Sequence, residues 1–497
     1  MYVLFAVSGV HFLIGFLSGY YQNITDFASN FFSDPSAIYL TARATTALIG
    51  TGCVLLTVLA GRRWFNTGSG ILAGLFLAVS VVHSTHSRIA ITDVPQSFLV
   101  TAVLLPLHGI LTRNMRRDYL FCGLLIGFGA ATKYLAIFLA PALILAHCLR
   151  SRATGSTWQR LIFTPNLWAG MGAIVLGCFI GTPYTFLDIG AFLADFRQQA
   201  TLSSGSGGGT SFGQLLLHYL PGTFGWPIYL LALVGIGRTV AHQRRVAPVL
   251  LSFPLIYLIF VGRYELAFAR YTIPLEPFLA LAAGSAAYQG YQIAQKRLTA
   301  AISIPLAMII YAVLIAQPLY ITMRWNILMA HEPDPRTLAL QWANHYIPEN
   351  SAVAIQPLFD RTFYNAPLMT DLRIEAIMTN IPQGGRFDLV RTTVRRSLAE
   401  NPLFREIPFV YDLQALEDAG VAYIFISDQN WPAVVSGKSR ADQPETRFFH
   451  DLQRRATMVQ HFTPLTDFSK GFPLQSAALV PMLPPSITIY RVQRVGE

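Results

Sequence analysis

Ionisable side chains are concentrated in the segment 83–95 (HSTHSRIAITDVP), where a long apolar stretch of the chain ends. Ionisable groups at membrane depth are costly, and they tend to mark substrate or ion pathways. The side chains of His86 and Arg88 are suited to an anionic head group. The carboxylate of Asp93 is suited to positioning a polar substrate or accepting its proton. The segment therefore predicts a binding or catalytic site at one membrane interface.

A structural explanation of the same segment stays open. Thr92 or Asp93 would then cap a helix that begins at Pro95, because small polar residues suit the cap and proline suits the first turn. In either case Asp93 lies at a helix N-terminus, where the helix dipole favours the ionised carboxylate. A side chain that serves only as a cap neither orients an acceptor nor takes its proton. The two explanations therefore differ in the effect expected from substituting Asp93.

Two further segments place scarce cations at the ends of apolar stretches on the same side of the membrane. Lys133 follows small residues in 127–134 (GFGAATKY), and Arg263 and Arg270 lie in 262–277 (GRYELAFARYTIPLEP). Lysine binds a phosphate as a point charge, and arginine binds it through a bidentate fork. We expect at least two of these three cations to line one cavity with Arg88 or Asp93. Tyrosines of the same outer segments are further candidate substrate contacts: Tyr134, Tyr184 and Tyr271.

The composition is typical of a membrane protein with many spanning helices. Of 497 residues, 53% are hydrophobic and 12% are charged, whereas soluble domains carry nearer a quarter of charged residues. Because a spanning helix needs about 17–25 apolar residues, the recurring apolar stretches predict an α-helical polytopic fold with about 10–12 transmembrane helices. The apolar segments lie near 2–18, 42–60, 67–84, 96–112, 119–132, 134–149, 167–184, 222–237, 246–262, 272–291 and 299–320.

Basic residues cluster at the ends of apolar segments, which indicates membrane orientation rather than nucleic-acid binding. The net charge of +10 is not gathered on one basic face, as a nucleic-acid partner would require. By the positive-inside rule the basic loops are cytoplasmic, so the segments with candidate site residues lie outside. The basic clusters are Arg62-Arg63, Arg113/Arg116/Arg117, Arg150/Arg152/Arg160, Arg238/Arg244/Arg245 and Lys296-Arg297.

Lys133 separates two apolar segments, 119–132 and 134–149, that are each short for a membrane span. We favour a tight helical hairpin with Lys133 at its outer tip. The alternative is one long tilted helix with a buried lysine. A lysine buried in lipid is costly, so this second arrangement would require a partner for its charge.

The composition becomes more polar towards the C-terminus, and the long apolar segments stop. The sequence therefore predicts a transmembrane domain over 1–324 and a small extracytoplasmic domain of mixed α/β structure over 325–497. Thr337–Tyr346 has helical spacing of its apolar residues. Three further stretches are rich in β-branched and aromatic residues, which is typical of strands. These predicted strands are Ser351–Ile355, Ala422–Ser427 and Ser486–Val492.

An ordered series of motifs resembles the GT-C superfamily of integral-membrane glycosyltransferases. The motifs are TARATTALIG, GRRWF, HSRIAITDVP, GFGAATKY, GTPY and RYTIPLEP, over about residues 35–290, and the terminal pattern DLQRRATMVQHFTP…ITIYR. The bacterial family-39 branch of the protein O-mannosyltransferase and aminoarabinose-transferase type is the most similar. No single motif is highly specific, but their order is.

The resemblance implies a transferase that moves a sugar from a polyprenyl-phosphate carrier to a lipid, glycan or protein acceptor on the extracytoplasmic face. It implies an integral protein of the bacterial inner membrane, surrounded by membrane lipids, with no nucleic-acid partner. It gives Asp93 a role on the acceptor side, and it makes Lys133, Arg263 and Arg270 candidates for the carrier phosphate. No cofactor is certain; a divalent metal could assist, although the sequence shows no ligand cluster for one.

The chain departs from the family pattern at its start. Family members usually begin with an extra membrane helix and an outer loop that carries an essential acidic residue, often in an Asp-Glu pair. Here Met1–Gly19 is most like the segment after that loop, and the nearby carboxylates, Asp26 and Asp34, have no adjoining glutamate. We expect either a start upstream of Met1 or a variant without the usual base. The candidate catalytic carboxylates are Asp93, Asp26 and Asp34.

Three functions stay open at this point. An inverting transferase would use a carboxylate to take the acceptor proton and cations to stabilise the departing phosphate. A transporter or flippase would typically hold ionisable groups near the bilayer midplane, often in inverted repeats. Here these groups cluster towards one outer face, and no repeat is detected. The third function is a catalytically impaired membrane scaffold of the same fold.

Overall fold

The computed structural model describes residues 2–153, 163–204, 211–264, 268–331, 333–357, 367–427, 444–463 and 486–492. By its internal contacts the chain divides into two units. The first consists mainly of Leu40–Ile327, and the second mainly of Ser8–Tyr39 with Leu328–Gly471. The division falls close to the predicted boundary after residue 324, and it groups an N-terminal segment with the C-terminal part of the chain.

Each apolar segment predicted from the sequence is mainly helical, although 67–84 and 222–237 are each divided between two α-helices. Short 3-10 segments at Tyr134–Leu139 and Ala269–Thr272 and a π-turn at Leu215–Tyr219 interrupt the α-helices. In chain order the α-helices are α1 (Tyr2–Leu17), α2 (Ile24–Ser33), α3 (Ser36–Trp64), α4 (Thr67–Ala78), α5 (Val81–His86), α6 (Asp93–Thr112), α7 (Arg116–Thr132), α8 (Ala140–Ala153), α9 (Pro165–Gly181), α10 (Tyr184–Leu187), α11 (Ile189–Ser204), α12 (Phe212–Gln214), α13 (Leu220–Phe224), α14 (Trp226–His242), α15 (Ala247–Val261), α16 (Glu276–Arg297) and α17 (Ala300–His331).

Several of these helices can cross a membrane by length and composition. Within the described residues four reach spanning length: α3, α6, the run Tyr134–Ala153 and the run that begins with α17. A fifth would be formed by Phe212–Phe224 with α14, which meet at a bend of 113°. The bend requires Gly225, whose φ of +79° is unfavourable for other residues. The apolar helices α1, α4, α9 and α15 are shorter. The α-helical membrane fold is confirmed, and the number of 10–12 spans stays a prediction.

Helices α7 and α9 pack backbone against backbone. A Cβ atom at Gly123 would overlap the carbonyl of Gly170, and one at Gly127 would overlap the carbonyl of Ile174. Small residues at such helix contacts allow the close approach that stabilises helix pairs in a membrane. The contact fixes the position of α7, whose C-terminal end delivers Lys133.

The second unit contains a mixed five-stranded sheet, and the predicted helix and three predicted strands are present in it. The strands are β1 (Ala352–Ile355), β2 (Arg405–Glu406), β3 (Tyr423–Ser427), β4 (Ala456–Phe462) and β5 (Ile487–Val492). The sheet order is β2-β1-β3-β5-β4; β1 is parallel to β2 and β3, and β5 is antiparallel to β3 and β4. The two halves of the terminal sequence pattern are thus paired strands. The helices are α18 (Pro335–Tyr346), α19 (Asp371–Asn380), α20 (Arg386–Leu398), α21 (Leu413–Asp418) and α22 (Pro444–Arg455).

The N-terminal helix α2 packs within this second unit. Its residues Ala28 and Phe32 lie against a small hydrophobic cluster that includes Met378, Val390 and Val394. Burial of these apolar side chains provides the contact energy that joins α2 to α20. The carboxylates of α2 therefore belong to the second unit.

Candidate active site

Asp93 and Lys133 form an ion pair between the ends of two helices. Lys133 Nζ donates to Asp93 Oδ1 at 2.6 Å. Helix α6 begins at Asp93, and Lys133 is the extended residue that follows α7, with φ −157° and ψ 119°. The two side chains are only 6% and 20% exposed, respectively. Because a buried charge without its counter-ion is strongly destabilising, each side chain requires the other.

The α-helix is interrupted at Lys133, as the predicted hairpin requires. Helix α7 ends at Thr132, and a 3-10 segment and α8 follow, both in contact with α7. The lysine nevertheless has the counter-ion that the alternative arrangement demanded. Thr92 occupies the N-cap position of α6, but the capping arrangement predicted from the sequence is otherwise not present. The helix begins at Asp93 rather than at Pro95, and the side chain of Thr92 makes no capping hydrogen bond.

Gln96 and His86 surround this ion pair. Gln96 is fully buried, its Nε2 donates to the carbonyl of Lys133 at 3.4 Å, and its Oε1 has no partner among the described residues. His86 is 4% exposed and donates from Nδ1 to the carbonyl of Val82 at 2.9 Å. That hydrogen bond leaves Nε2 of a neutral ring as an acceptor. His86 lies within electrostatic range of Asp93, Lys133 and Arg270.

The ring of Tyr271 connects Lys133 to Arg270. Lys133 Nζ lies 5.3 Å from the centroid of the Tyr271 ring, and Arg270 Cζ lies 5.9 Å from the same centroid. Arg270 also stacks over Phe268 at 4.7 Å. Cations placed over aromatic faces are stabilised without a counter-ion. Two of the three cations predicted to bind phosphate therefore lie around one tyrosine, beside the Asp93 carboxylate.

More tyrosines than predicted surround the pair. The hydroxyls of Tyr134 and Tyr264 are 3.4 Å apart, and the rings of Tyr264 and Tyr271 are 5.9 Å apart. Tyr257 is fully buried and is within electrostatic range of Asp93. Sequence analysis missed Tyr257 and Tyr264. The available signal was a tyrosine within the apolar segment 246–262 and another just beyond its end.

Glu276 is a second buried carboxylate that sequence analysis missed. It begins α16, is fully buried, and accepts hydrogen bonds from Ser80 Oγ at 2.6 Å and Thr272 Oγ1 at 3.0 Å. Thr223 Oγ1 lies 3.4 Å from Thr272 Oγ1 and extends the network. Within the described part of the chain Glu276 has no ion pair. The sequence feature that could have identified Glu276 is its place directly before Pro277 at a helix start. It lies inside a segment already noted for its arginines.

The remaining predicted site residues lie outside this cluster or belong to the other unit. Arg88 is partly buried, lies within electrostatic range of Arg43, and its Nε has no partner among the described atoms. Arg263 is exposed, and Tyr184 is 76% exposed. Their predicted roles stay predictions.

Asp26 and Asp34 lie at the two ends of α2, in the second unit. Asp26 Oδ2 accepts from the amide of Gln22 at 3.1 Å. Hydrogen bonds from the hydroxyl and the backbone amide of Ser36 hold the pKa of Asp34 below its usual value. A lowered pKa makes a carboxylate a weaker base. The catalytic roles predicted for Asp26 and Asp34 stay predictions.

The described residues do not fit a metal site. Nowhere among them do three or more His, Cys, Asp or Glu side chains come together in a way that could hold a metal ion. The Asp93 carboxylate is neutralised by Lys133, and Glu276 is satisfied by hydroxyl groups. We therefore derive no step through a metal, and metal assistance stays a prediction.

Several solved structures align with most of the chain at low identity. ArnT from Cupriavidus metallidurans in the apo state aligns at 14% identity and a TM-score of 0.48, over 94% of this chain and 87% of that one. ArnT bound to undecaprenyl phosphate aligns at 16% and 0.44, over 83% and 84%. The Archaeoglobus fulgidus oligosaccharyltransferase tethered to an acceptor peptide aligns at 13% and 0.44, over 89% and 64%. TM-scores below 0.5 do not assign a fold or a function.

Comparison of the sequence with protein-family models shows a match to part of the chain. A search of curated proteins found no match for the chain. Residues 37–182, which contain Asp93 and Lys133, match the model of the dolichyl-phosphate-mannose-protein mannosyltransferase family. This match covers the first four motifs of the ordered series and ends within GTPY. For residues 37–182 the match supports the resemblance to membrane glycosyltransferases that the motif series predicted.

Proposed function

We propose that this protein transfers a sugar from a polyprenyl-phosphate carrier to an acceptor at the extracytoplasmic face of a bacterial inner membrane. The observation that carries the proposal is the buried Asp93–Lys133 pair with Arg270 beside it. A reaction with a phosphate leaving group needs cations at the departing oxygen, and a hydroxyl or amine acceptor needs a base. One cluster supplies both requirements.

In the proposed reaction the acceptor oxygen or nitrogen attacks the anomeric carbon of the sugar. The bond between that carbon and the phosphate oxygen breaks, and its electron pair stays on the phosphate. Lys133 and Arg270 stabilise the negative charge that develops there. Asp93 takes the proton from the acceptor, and attack from the face opposite the phosphate inverts the anomeric centre. No nucleotide-binding motif is required, because the donor is a lipid.

The ion pair also has a consequence for the order of events. In the resting protein Lys133 Nζ donates to Asp93 Oδ1, so that oxygen is not available to an acceptor group. An anionic carrier that draws Lys133 towards its phosphate would release Asp93 at the same time. Binding of the donor thus prepares the base, and an empty site remains inactive towards the acceptor.

The class of carrier is supported by the matched family, whose name specifies a dolichyl-phosphate-linked mannose and a protein acceptor. We extend to this chain only a polyprenyl-phosphate-linked sugar. The acceptor is a lipid, glycan or protein, and the C-terminal domain is proposed to lie outside the cytoplasm.

The test uses the full chain in lipid nanodiscs with a polyprenyl-phosphate hexose that carries a radiolabel in the sugar. Label is expected to leave the carrier when cell-envelope extract is supplied as acceptor, and Lys133→Met is expected to abolish the release. Label that crosses the bilayer of a proteoliposome while still bound to its carrier would support a flippase instead. If the labelled sugar stays on its carrier and does not cross the bilayer, in a protein that binds undecaprenyl phosphate normally, the transferase is rejected.

A further inference from the structure

The hydroxyl of Tyr257 is buried without a hydrogen-bond partner among the described residues. The residue is 0% exposed, lies in the main hydrophobic cluster, and packs its ring 5.5 Å from that of Phe253. Most buried hydroxyls in folded proteins are satisfied, because an unpaired one destabilises the fold. The resting structure therefore does not explain why α15 carries tyrosine rather than phenylalanine at this position.

Tyr257 and Asp93 are carried by helices that meet at the same short segment of the candidate site. The Asp93 carboxylate acts electrostatically on Tyr257, and so do the hydroxyl groups of Tyr134, Tyr264 and Tyr271. Helices α6 and α15 both contact the 3-10 segment that directly follows Lys133. The unpaired hydroxyl thus belongs to the same polar cluster as Asp93.

Donor binding creates a need for this hydroxyl, if the proposed function holds. When Lys133 turns to the carrier phosphate, Asp93 loses its counter-ion but remains at the start of α6, where only 6% of its side chain is exposed. A buried carboxylate without a cation is strongly destabilising. A hydrogen bond from a neutral donor stabilises its charged form in place of the cation.

We propose that Tyr257 is a reserve hydrogen-bond donor to Asp93, used when Lys133 leaves that carboxylate for the anionic carrier. The phenol keeps its proton and only changes partner, so no covalent step is involved. Tyr257 is a positioning residue in this scheme. It holds the carboxylate ionised and oriented while the cation is engaged elsewhere, and the donor-bound state accounts for the hydroxyl that the resting state leaves unpaired.

The first test is a double-mutant cycle on thermal unfolding in detergent, without any substrate. In the wild-type background Tyr257→Phe should leave the melting temperature unchanged or raise it, because it removes an unsatisfied group. In the Lys133→Met background the same change should lower the melting temperature, because Asp93 then depends on the tyrosine. A shift of the same sign in both backgrounds would overturn the proposal. Because this cycle measures no transfer, its outcome is separate from that of the transferase assay.

The second test covers the case in which Lys133→Met does not fold. Affinity for undecaprenyl phosphate is measured for wild type, Tyr257→Phe and the control Tyr229→Phe, which changes a similarly buried tyrosine of α14. Tyr257→Phe should weaken binding roughly tenfold, the scale of one hydrogen bond to a charged group, at an unreduced melting temperature. Tyr229→Phe should bind as wild type does. Equal affinity of Tyr257→Phe and wild type for undecaprenyl phosphate would contradict the proposed role of Tyr257 as a reserve donor.

Discussion

Ser80 donates a hydrogen bond to Glu276 at 2.6 Å, although 196 positions separate the two residues in the chain. The contact joins the start of α5 to the start of α16, and Thr272 donates to the same carboxylate. Glu276 therefore ties the helix of His86 to the 3-10 segment of Arg270. It is a structural connection between two sides of the candidate site.

Glu276→Ala should destabilise the protein, because it leaves the buried hydroxyl of Ser80 without its acceptor, whereas Thr272 Oγ1 can still donate to the carbonyl of Ala269 at 2.8 Å. Each unsatisfied group costs about 1–3 kcal/mol. Glu276→Gln keeps one carbonyl oxygen as acceptor and should lose less. Thermal unfolding in detergent measures both, with Glu375→Gln, a change at a 73% exposed side chain, as control. A Glu276→Ala protein that melts with the wild type would show that the network is dispensable.

Asp93→Asn should reduce sugar transfer by roughly two or more orders of magnitude, the scale of a positioned acid–base group, in a folded and inserted protein. The matched control is Asp118→Asn. Asp118 is also 6% exposed and pairs with Arg113 at 2.7 Å, but it follows a predicted cytoplasmic loop. Any loss of stability caused by breaking an ion pair should therefore appear in both variants. Sugar transfer should fall only in Asp93→Asn. Equal transfer by Asp93→Asn and wild type rejects the catalytic role.

Arg270→Ala should raise the KM for the polyprenyl-phosphate sugar more than Arg270→Lys does. Lysine keeps the charge at this position but loses the bidentate fork and the planar stacking over Phe268. Steady-state transfer kinetics provide the measurement, with Arg244→Ala in a predicted cytoplasmic loop as control. An unchanged KM in Arg270→Ala would exclude this arginine from the phosphate site. The same assay on Arg263→Ala decides whether the third predicted cation takes part.

The membrane orientation predicts the activity of reporter fusions. Alkaline phosphatase fused after Arg324 should be active, because the C-terminal domain is expected outside, and fusions within the loops of Arg62, Arg116 and Arg244 should be inactive. A cytoplasmic reporter such as green fluorescent protein should give the reverse pattern. An inactive phosphatase after Arg324 contradicts the orientation and places the candidate site on the wrong side for an extracytoplasmic acceptor.

The helices of the membrane part could be predicted because the signal for them is local. A run of apolar residues long enough to span a bilayer forms a helix whatever it packs against. The strands β1, β3 and β5 were found for a similar reason, since β-branched residues are dense in them. Strand β4 was missed because Thr457 and Val459 are its only β-branched residues and its apolar and polar residues do not alternate, so its sequence gives little strand signal.

The site could be predicted only in part, because its key contacts are not local. Asp93 and Lys133 were each recognisable as costly charges, but their pairing joins positions 40 residues apart. Nothing in a single sequence specifies that distance. Tyr257 and Glu276 are surrounded by apolar neighbours in the chain, and only the folded structure reveals that both are fully buried. The packing of α2 within the second unit is non-local in the same way.

The close contact of α7 with α9 makes the site sensitive to changes at residues that no substrate touches. Lys133 follows Gly127 by less than two helical turns, so a methyl group at that glycine would push the end of α7 away from Asp93. Such a lesion would resemble an active-site defect in any screen for lost transfer, and warming would aggravate it. Random mutagenesis of this protein should thus yield conditional alleles at Gly123 and Gly127.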